Sequence, residues 1–421
     1  MYAKELGETG NDLNHRVLCG SFMVFLFYIW EANCLEHRRA MAVLFITLFL
    51  VMIGFGIVIP VLPFLVISQQ GTPASLGLLM ATYSIMQFFF APLWGNLSDR
   101  MGRRPILLLG LIGYGLSFIL FGLATKLWML FAARIVAGII SSATLPTAMA
   151  YIADITGPDN RAKGMGLMGA AMGLGMIFGP ALGGWLGHYG FAIPFFVAAA
   201  LALVNAGVTY FLLPESMQQP QVTAKKPPLS LNLFRDVRFV LYSLSFIVSF
   251  AVALFESTFT LFSADKLGFG PKEMGIVFAV LGVFTVVTQA GVVNRAVKRF
   301  GDIAVIIAGL IIASVGFALI ITATDMVMLL VFTSFFSIGS SLLRPGISTL
   351  VSKNAEPHEQ GEAVGIMQSF DSLGRILGPA TGGAVYNIDH NSPYLIGTVF
   401  LVFAIYLAKH HTSRFGKNLR S

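Results

Sequence analysis

Twelve long apolar runs, separated by charged or Pro/Gly-rich interruptions, follow one another through this chain after residue 40. They fall at 41–67, 75–97, 104–124, 126–151, 162–187, 191–213, 239–263, 272–294, 302–323, 326–351, 362–386 and 393–409. Each is near the ~20 residues a helix needs to cross ~30 Å of hydrocarbon. The runs are continuous rather than alternating, and a backbone in lipid must satisfy its own hydrogen bonds, so they predict helices and not a barrel. Of the 421 residues 56% are hydrophobic and only 11% charged, which places the chain outside the composition of soluble domains. The expected fold class is an all-α membrane protein of 12 transmembrane helices, with the lipid bilayer as its solvent.

The placement of lysine and arginine predicts orientation. With a cytoplasmic N-terminus, the outer loops hold only Lys126, Lys266 and Lys272, and Arg134, Arg344 and Arg375 lie within runs, so the other 21 of the 27 fall inside. Lys/Arg-rich segments stay cytoplasmic, which predicts a multi-pass protein of the cell (inner or plasma) membrane with both termini in the cytoplasm. The net charge of +7 then records topology and implies no nucleic-acid partner. Cys19 and Cys34 precede the first long run on the reducing side and are expected as free thiols. Residues 1–40 contain one uncharged apolar stretch, Val17 to Trp30, too short to span comfortably. They are expected to form a cytoplasmic or interfacial extension ahead of a functional start at Met41.

A shift of 199 residues superposes Gly102 on Gly301, Pro146 on Pro345, Pro158 on Pro357, Gly179-Pro180 on Gly378-Pro379 and Gly183-Gly184 on Gly382-Gly383. Two pseudo-symmetric six-helix bundles follow, at 41–213 and 239–409, with a polar cytoplasmic linker at 214–238 and a cytoplasmic tail at 410–421. Charges inside the runs are the strongest pointers to function, because an ionised group at mid-membrane costs about 2.5–3.5 kcal/mol on insertion scales. Glu256 lies deep in the seventh run within Phe255-Glu256-Ser257-Thr258-Phe259, Arg344 precedes Pro345 in the tenth, and Asp371 stands four residues before Arg375 in the eleventh. A buried carboxyl of this kind can hold a proton when unpaired and release it when a cation arrives; its bland alternative is a structural hydrogen bond between helices. For Asp371 and Arg375 the bland account is an i,i+4 ion pair.

Three local patterns carry a resemblance. Gly95-Asn96-Leu97-Ser98-Asp99-Arg100-Met101-Gly102-Arg103-Arg104 follows the second run; Arg134 with Gly138 lies in the fourth; and Gly169, Gly173, Gly175, Gly179-Pro180 and Gly183-Gly184 mark the fifth. The chain resembles the major facilitator superfamily, and within it the Gram-positive drug:proton antiporters, over nearly its whole length after residue 40. That resemblance implies proton-coupled efflux of small hydrophobic or cationic drugs by alternating access, with no cofactor beyond the proton gradient and a monomeric carrier. It implies proton coupling by Glu256, Arg134, Asp371 and Arg344. It also implies a substrate cavity lined by Tyr83, Gln87, Phe255, Glu256, Phe259 and Phe336, whose aromatic faces suit flat cations. A conformational latch is implied at Gly95, Asp99, Arg100, Gly102, Arg103 and Asp154: Gly95 permits close helix approach, Asp99 meets the N-terminal end of the eleventh helix near Gly361, and Arg103 pairs with Asp154. The antiporter motif, Gly175, Gly179, Pro180, Gly183 and Gly184, is expected to seal the fifth helix against the eighth.

One departure stands out, since related pumps carry an aspartate three residues before the tenth-run arginine and this chain has Ser341 there. Asp371 is expected to compensate by partnering Arg344 or Arg375. The alternatives are a more selective exporter, of tetracycline-like drugs or an endogenous metabolite, and less readily a sugar symporter. Against an enzyme, His188, His358, His390 and Asp325 are scattered without ligand spacing, no metal site is expected, and there is no P-loop. A channel has no use for a latch borne on a repeat.

Overall fold

The computed structural model describes residues 35–156, 158–216, 238–355 and 359–418. Those residues form twelve long helices, and none of them is in a strand. In chain order they are α1 (Leu35–Ser68), α2 (Pro73–Met101), α3 (Arg103–Leu123), α4 (Leu127–Ile155), α5 (Pro158–Gly187), α6 (Ile193–Leu212), α7 (Phe239–Leu267), α8 (Pro271–Phe300), α9 (Asp302–Ile320), α10 (Met326–Lys353), α11 (Gln360–Tyr386) and α12 (Ser392–Asn418). α1 begins before residue 41 and α12 continues past 409, so the helical ends exceed the apolar runs that predict them. Both cysteines, most of the 1–40 extension and nearly all of the 214–238 linker lie outside the described residues.

Eleven of the helices are long and apolar enough to cross a membrane; α11 is long enough but too polar, because it carries Glu362, Asp371 and Arg375 among glycines. Local chemistry sets the helix ends. At the start of α2, Thr72 and Ser75 cap one another: Ser75 N–H donates to Thr72 Oγ1 at 3.2 Å, Thr72 N–H donates to Ser75 Oγ at 2.8 Å, and Pro73 occupies the first turn. At the start of α10, Asp325 accepts from the Met328 N–H. Gly102 between α2 and α3 and Gly301 between α8 and α9 have φ of +103° and +82°, a left-handed turn that favours glycine at the same place in both halves.

α1–α6 and α7–α12 each pack mainly among themselves, and the principal contacts across the halves are α5 with α8 and α2 with α11. Both seams rest on backbone-to-backbone approach. A Cβ on Gly184 would lie 2.5 Å from Gly275 Cα, and one on Gly383 would lie 3.0 Å from Gly77 Cα, so only glycine permits the contact. Further along the same faces the seams part. A Cβ on Gly166 or Gly169 of α5, on Gly361 or Gly365 of α11, or on Gly95 of α2 would meet no atom within 4 Å. Gly95 stands five turns beyond Gly77 on one face of α2, so the helix leaves α11 as it approaches Met101. The molecule is closed at the Pro73/Pro271 end and open at the Met101/Gln360 end.

Candidate functional site

Between the halves lies a cavity lined by α1, α2 and α4 on one side and by α7 and α11 on the other. Its walls are largely apolar, with Phe55, Val58, Leu62 and Met80 among them, and its ionisable groups are Tyr83, Arg134, Glu256 and Arg375. Glu256 is the one carboxyl among the lining residues. Its neighbour Phe255 is buried, since adjacent residues on a helix point about 100° apart.

Arg134 is only 7% exposed and makes no ion pair among the described residues. Its guanidinium lies 5.5 Å from the Tyr83 ring centre and 5.2 Å from that of Phe121, and its Nε has no hydrogen-bond partner. Gly138 makes this placement possible: a Cβ there would fall 2.5 Å from Met86 Cβ and 2.9 Å from the Tyr83 carbonyl oxygen, so its absence lets α4 close on α2. The α4 helix then tightens into a short 3-10 turn at Ser141–Ala143, beside which Trp94 Nε1 donates to the Ile139 carbonyl at 2.5 Å.

Asp371 is buried beside this cavity and gathers two hydrogen-bond donors and a second cation. Arg344 Nη2 donates to it at 2.6 Å, Ser249 Oγ donates to its other oxygen, and Arg375 Nε stands 3.7 Å away. The expected partnership of Asp371 with Arg344 is therefore present, whereas Ser341 turns its hydroxyl to the Ser337 carbonyl of its own helix. Ser249 and the cavity-facing Arg375 complete the cluster. The polarity of α11 signals Arg375; nothing in the local pattern distinguishes Ser249 from other helix serines.

Several expected cavity residues lie elsewhere. Phe255, Phe259 and Phe336 are buried within the C-terminal half: the Phe255 ring is 4.4 Å from Phe259 and 4.8 Å from Phe336, and Phe259 meets Phe278 edge-on at 5.6 Å. Phe255 and Phe259 share one face of α7, and that face packs into its own bundle. Gln87, one turn beyond Tyr83, is half-buried but is not among the lining residues.

At the open end Arg103 is buried and donates through Nε to Asp154 at 3.0 Å, through Nη1 to Ser98 Oγ at 2.8 Å, and through Nη1 also to Asp99. Asp99 thus pairs within its own half, and the latch to α11 is not made, because the helices have parted there and Gly95 faces open space. Arg100 is exposed and carries no ion pair among the described residues. Glu215, just beyond α6, accepts from the backbone N–H groups of Arg103 at 2.8 Å and Arg104 at 3.1 Å, capping α3. Of the α5 motif, Gly175, Gly179 and Gly183 lie against the α1 backbone at Phe49–Ile57 rather than against α8. Pro180, through its carbonyl, and Gly184 meet α8 at Gly275.

The family model described as the Major Facilitator Superfamily matches residues 44–379 and 241–417. The chain is 34% identical over 375 residues to Multidrug resistance protein 1 of Bacillus subtilis (strain 168), covering 88% of this chain and 96% of the relative. It is also 34% identical over 361 residues to the class C tetracycline resistance protein of Escherichia coli, covering 84% and 91%. Among solved structures, a bacterial homologue of the human lysosomal transporter Spinster, inward-facing and occupied, superposes with a TM-score of 0.77 over 92% of this chain and 99% of that one; at 16% identity it bears on the fold alone.

Proposed function

The chain belongs to the major facilitator superfamily, and from that membership and its site we propose that it exports hydrophobic, drug-like molecules in exchange for protons. The observation that carries the reading is a cavity between two parted halves with one carboxyl, Glu256, in its wall. A lone carboxyl in an apolar wall binds either a proton or a substrate, and that competition couples the two fluxes. The halves rock about the cavity, so the glycine seams at Gly184 and Gly383 close one end while the Arg103 cluster stands free at the other.

The positive-inside distribution supports placing the open end, and both termini, in the cytoplasm of a plasma-membrane protein. The carrier then stands ready to take its cargo from the cell interior or the inner leaflet. In this scheme Arg134 and the Asp371–Arg344 pair set the field around Glu256, and Asp99 reaches the α11 N-terminus only when the cytoplasmic end closes. The proton gradient supplies the energy, and a single chain contains the whole pathway.

The test uses everted membrane vesicles holding an internal acid gradient. Adding amphiphilic drugs, from a panel of neutral, cationic and zwitterionic members, should dissipate the gradient with wild type and not with Glu256→Gln. No drug-dependent proton release by correctly inserted wild type would defeat the proposal.

A further inference from the structure

Five ionisable acid or base side chains stand well inside the membrane-spanning helices, and they do not balance: Arg134, Arg344 and Arg375 face only Glu256 and Asp371. Asp371 is committed to Arg344 at 2.6 Å and to Ser249, and Arg375 is a more distant second cation at 3.7 Å. The cavity itself is lined by two guanidiniums and one carboxyl. With every group ionised, the interior holds one uncompensated positive charge, and a proton on Glu256 makes it two. The deficit is concentrated at Arg134, which is 7% exposed, reaches no acid and leaves its Nε unpartnered. A guanidinium in that position favours an anion, and among the described residues it has ring contacts with Tyr83 and Phe121 but no ion pair, although Glu256 lines the same cavity.

We propose that the cargo supplies that anion: the transported molecule is an aromatic acid or zwitterion whose carboxylate lies between Arg134 and Arg375. This rests on the drug-export reading above and narrows it away from permanent monocations. Guanidinium and carboxylate match in plane and in donor spacing, so two arginines on opposite walls, α4 and α11, grip such a group across the two halves. The flat body of the molecule lies against Phe55 and Tyr83, whose ring centres are 6.5 Å apart. An amine at its far end pairs with ionised Glu256, and a purely acidic cargo leaves Glu256 to its proton. A monocation instead enters a cavity whose charge is already positive.

Rhodamine 110 and its methyl ester, rhodamine 123, isolate the one group in question. Initial uptake of each is measured in everted, energised vesicles carrying the full chain. Wild type should favour the free acid by about tenfold, because a site built to bind a polar group discriminates strongly against an analogue lacking it. Arg375→Gln should bring the acid-to-ester ratio toward one and Arg375→Lys should keep most of it; a ratio measured within one preparation does not depend on how much protein inserts. An ester transported as fast as the acid, or faster, overturns the carboxylate assignment and leaves drug export standing. Transport of neither dye, together with no proton release by any panel drug, overturns both.

Discussion

Lys353 and Asp302 form an ion pair at 2.6 Å that repeats, with the charges exchanged, the Arg103–Asp154 pair 199 residues earlier. Each pair ties the start of a helix after a left-handed glycine turn to the end of the next helix, α3 to α4 and α9 to α10. Lys353 is 59% exposed, so its pair adds little to stability, about 0–1 kcal/mol. Its effect is expected on the rate of rocking. Asp302→Lys should slow proton-driven efflux several-fold, and adding Lys353→Asp should restore more than half of the rate. The equivalent swap of Arg103 and Asp154 should not recover, because Arg103 is buried and also serves Ser98 and Asp99. Equal recovery in the two halves would show that the pairs act only as charges.

The glycine seams predict a switch of accessible side. Gly184→Ala places a methyl 2.5 Å from Gly275 Cα, a backbone atom that cannot step aside, so the Pro271 end must open. A cysteine placed at cavity residue 84 (Ser84→Cys) should then react with an impermeant thiol reagent from outside the cell. Transport should fall by at least about tenfold, equivalent to ~1.4 kcal/mol between the two states. Gly166→Ala, on the open stretch of the same helix, meets no atom within 4 Å and should change neither property. Unchanged outside labelling in Gly184→Ala would mean that the seam does not hold the closed state.

The helices, their number and the two-fold repeat were legible because hydropathy acts over whole segments. The charged side chains that matter were legible for the same reason, each being conspicuous in an apolar background. Which way a residue faces was not. Phe255 and Glu256 are neighbours, yet one packs against Phe336 and the other lines the cavity, and a helix apolar on every side has no periodicity to tell them apart. The latch shows a second limit: a motif that implies Asp99 near Gly361 does not say in which state of the carrier the two would meet, and in this structure Asp99 pairs with Arg103 instead.

Asp371 and Arg344 should be coupled in stability. Asp371→Asn leaves Arg344 with an amide where a carboxylate was and weakens the bond from Ser249. Loss of a charged hydrogen bond costs about 1.5–3 kcal/mol, and the half-exposed Arg344 places this one toward the lower end. The thermal midpoint in detergent should drop for Asp371→Asn and for Arg344→Gln alone. The double variant should lose less than the sum, since neither charge is then stranded. Additive losses would show that each side chain is held by other partners.

Glu215 is the functional neighbour that no motif announced, because it stands in a polar stretch where acids are ordinary. Its carboxylate accepts from two backbone N–H groups at the first turn of α3, and the adjoining Pro214 carbonyl accepts from Tyr151 Oη at 2.5 Å. The segment leaving α6 is thereby fastened to α3 and α4 beside Arg103 and Asp154, and Ser216 Oγ donates to Asp154 at 3.2 Å. Glu215→Ala removes the cap and should cost about 0.5–2 kcal/mol. The loss should be local: hydrogen exchange at the Arg103 and Arg104 amides should accelerate well before that of α6. Glu215→Gln keeps an acceptor oxygen but gives up the charge at the positive end of α3, and should fall between Ala and wild type. If exchange at those amides were the same in Glu215→Ala as in wild type, the cap would not be what fastens this segment to the Arg103 cluster.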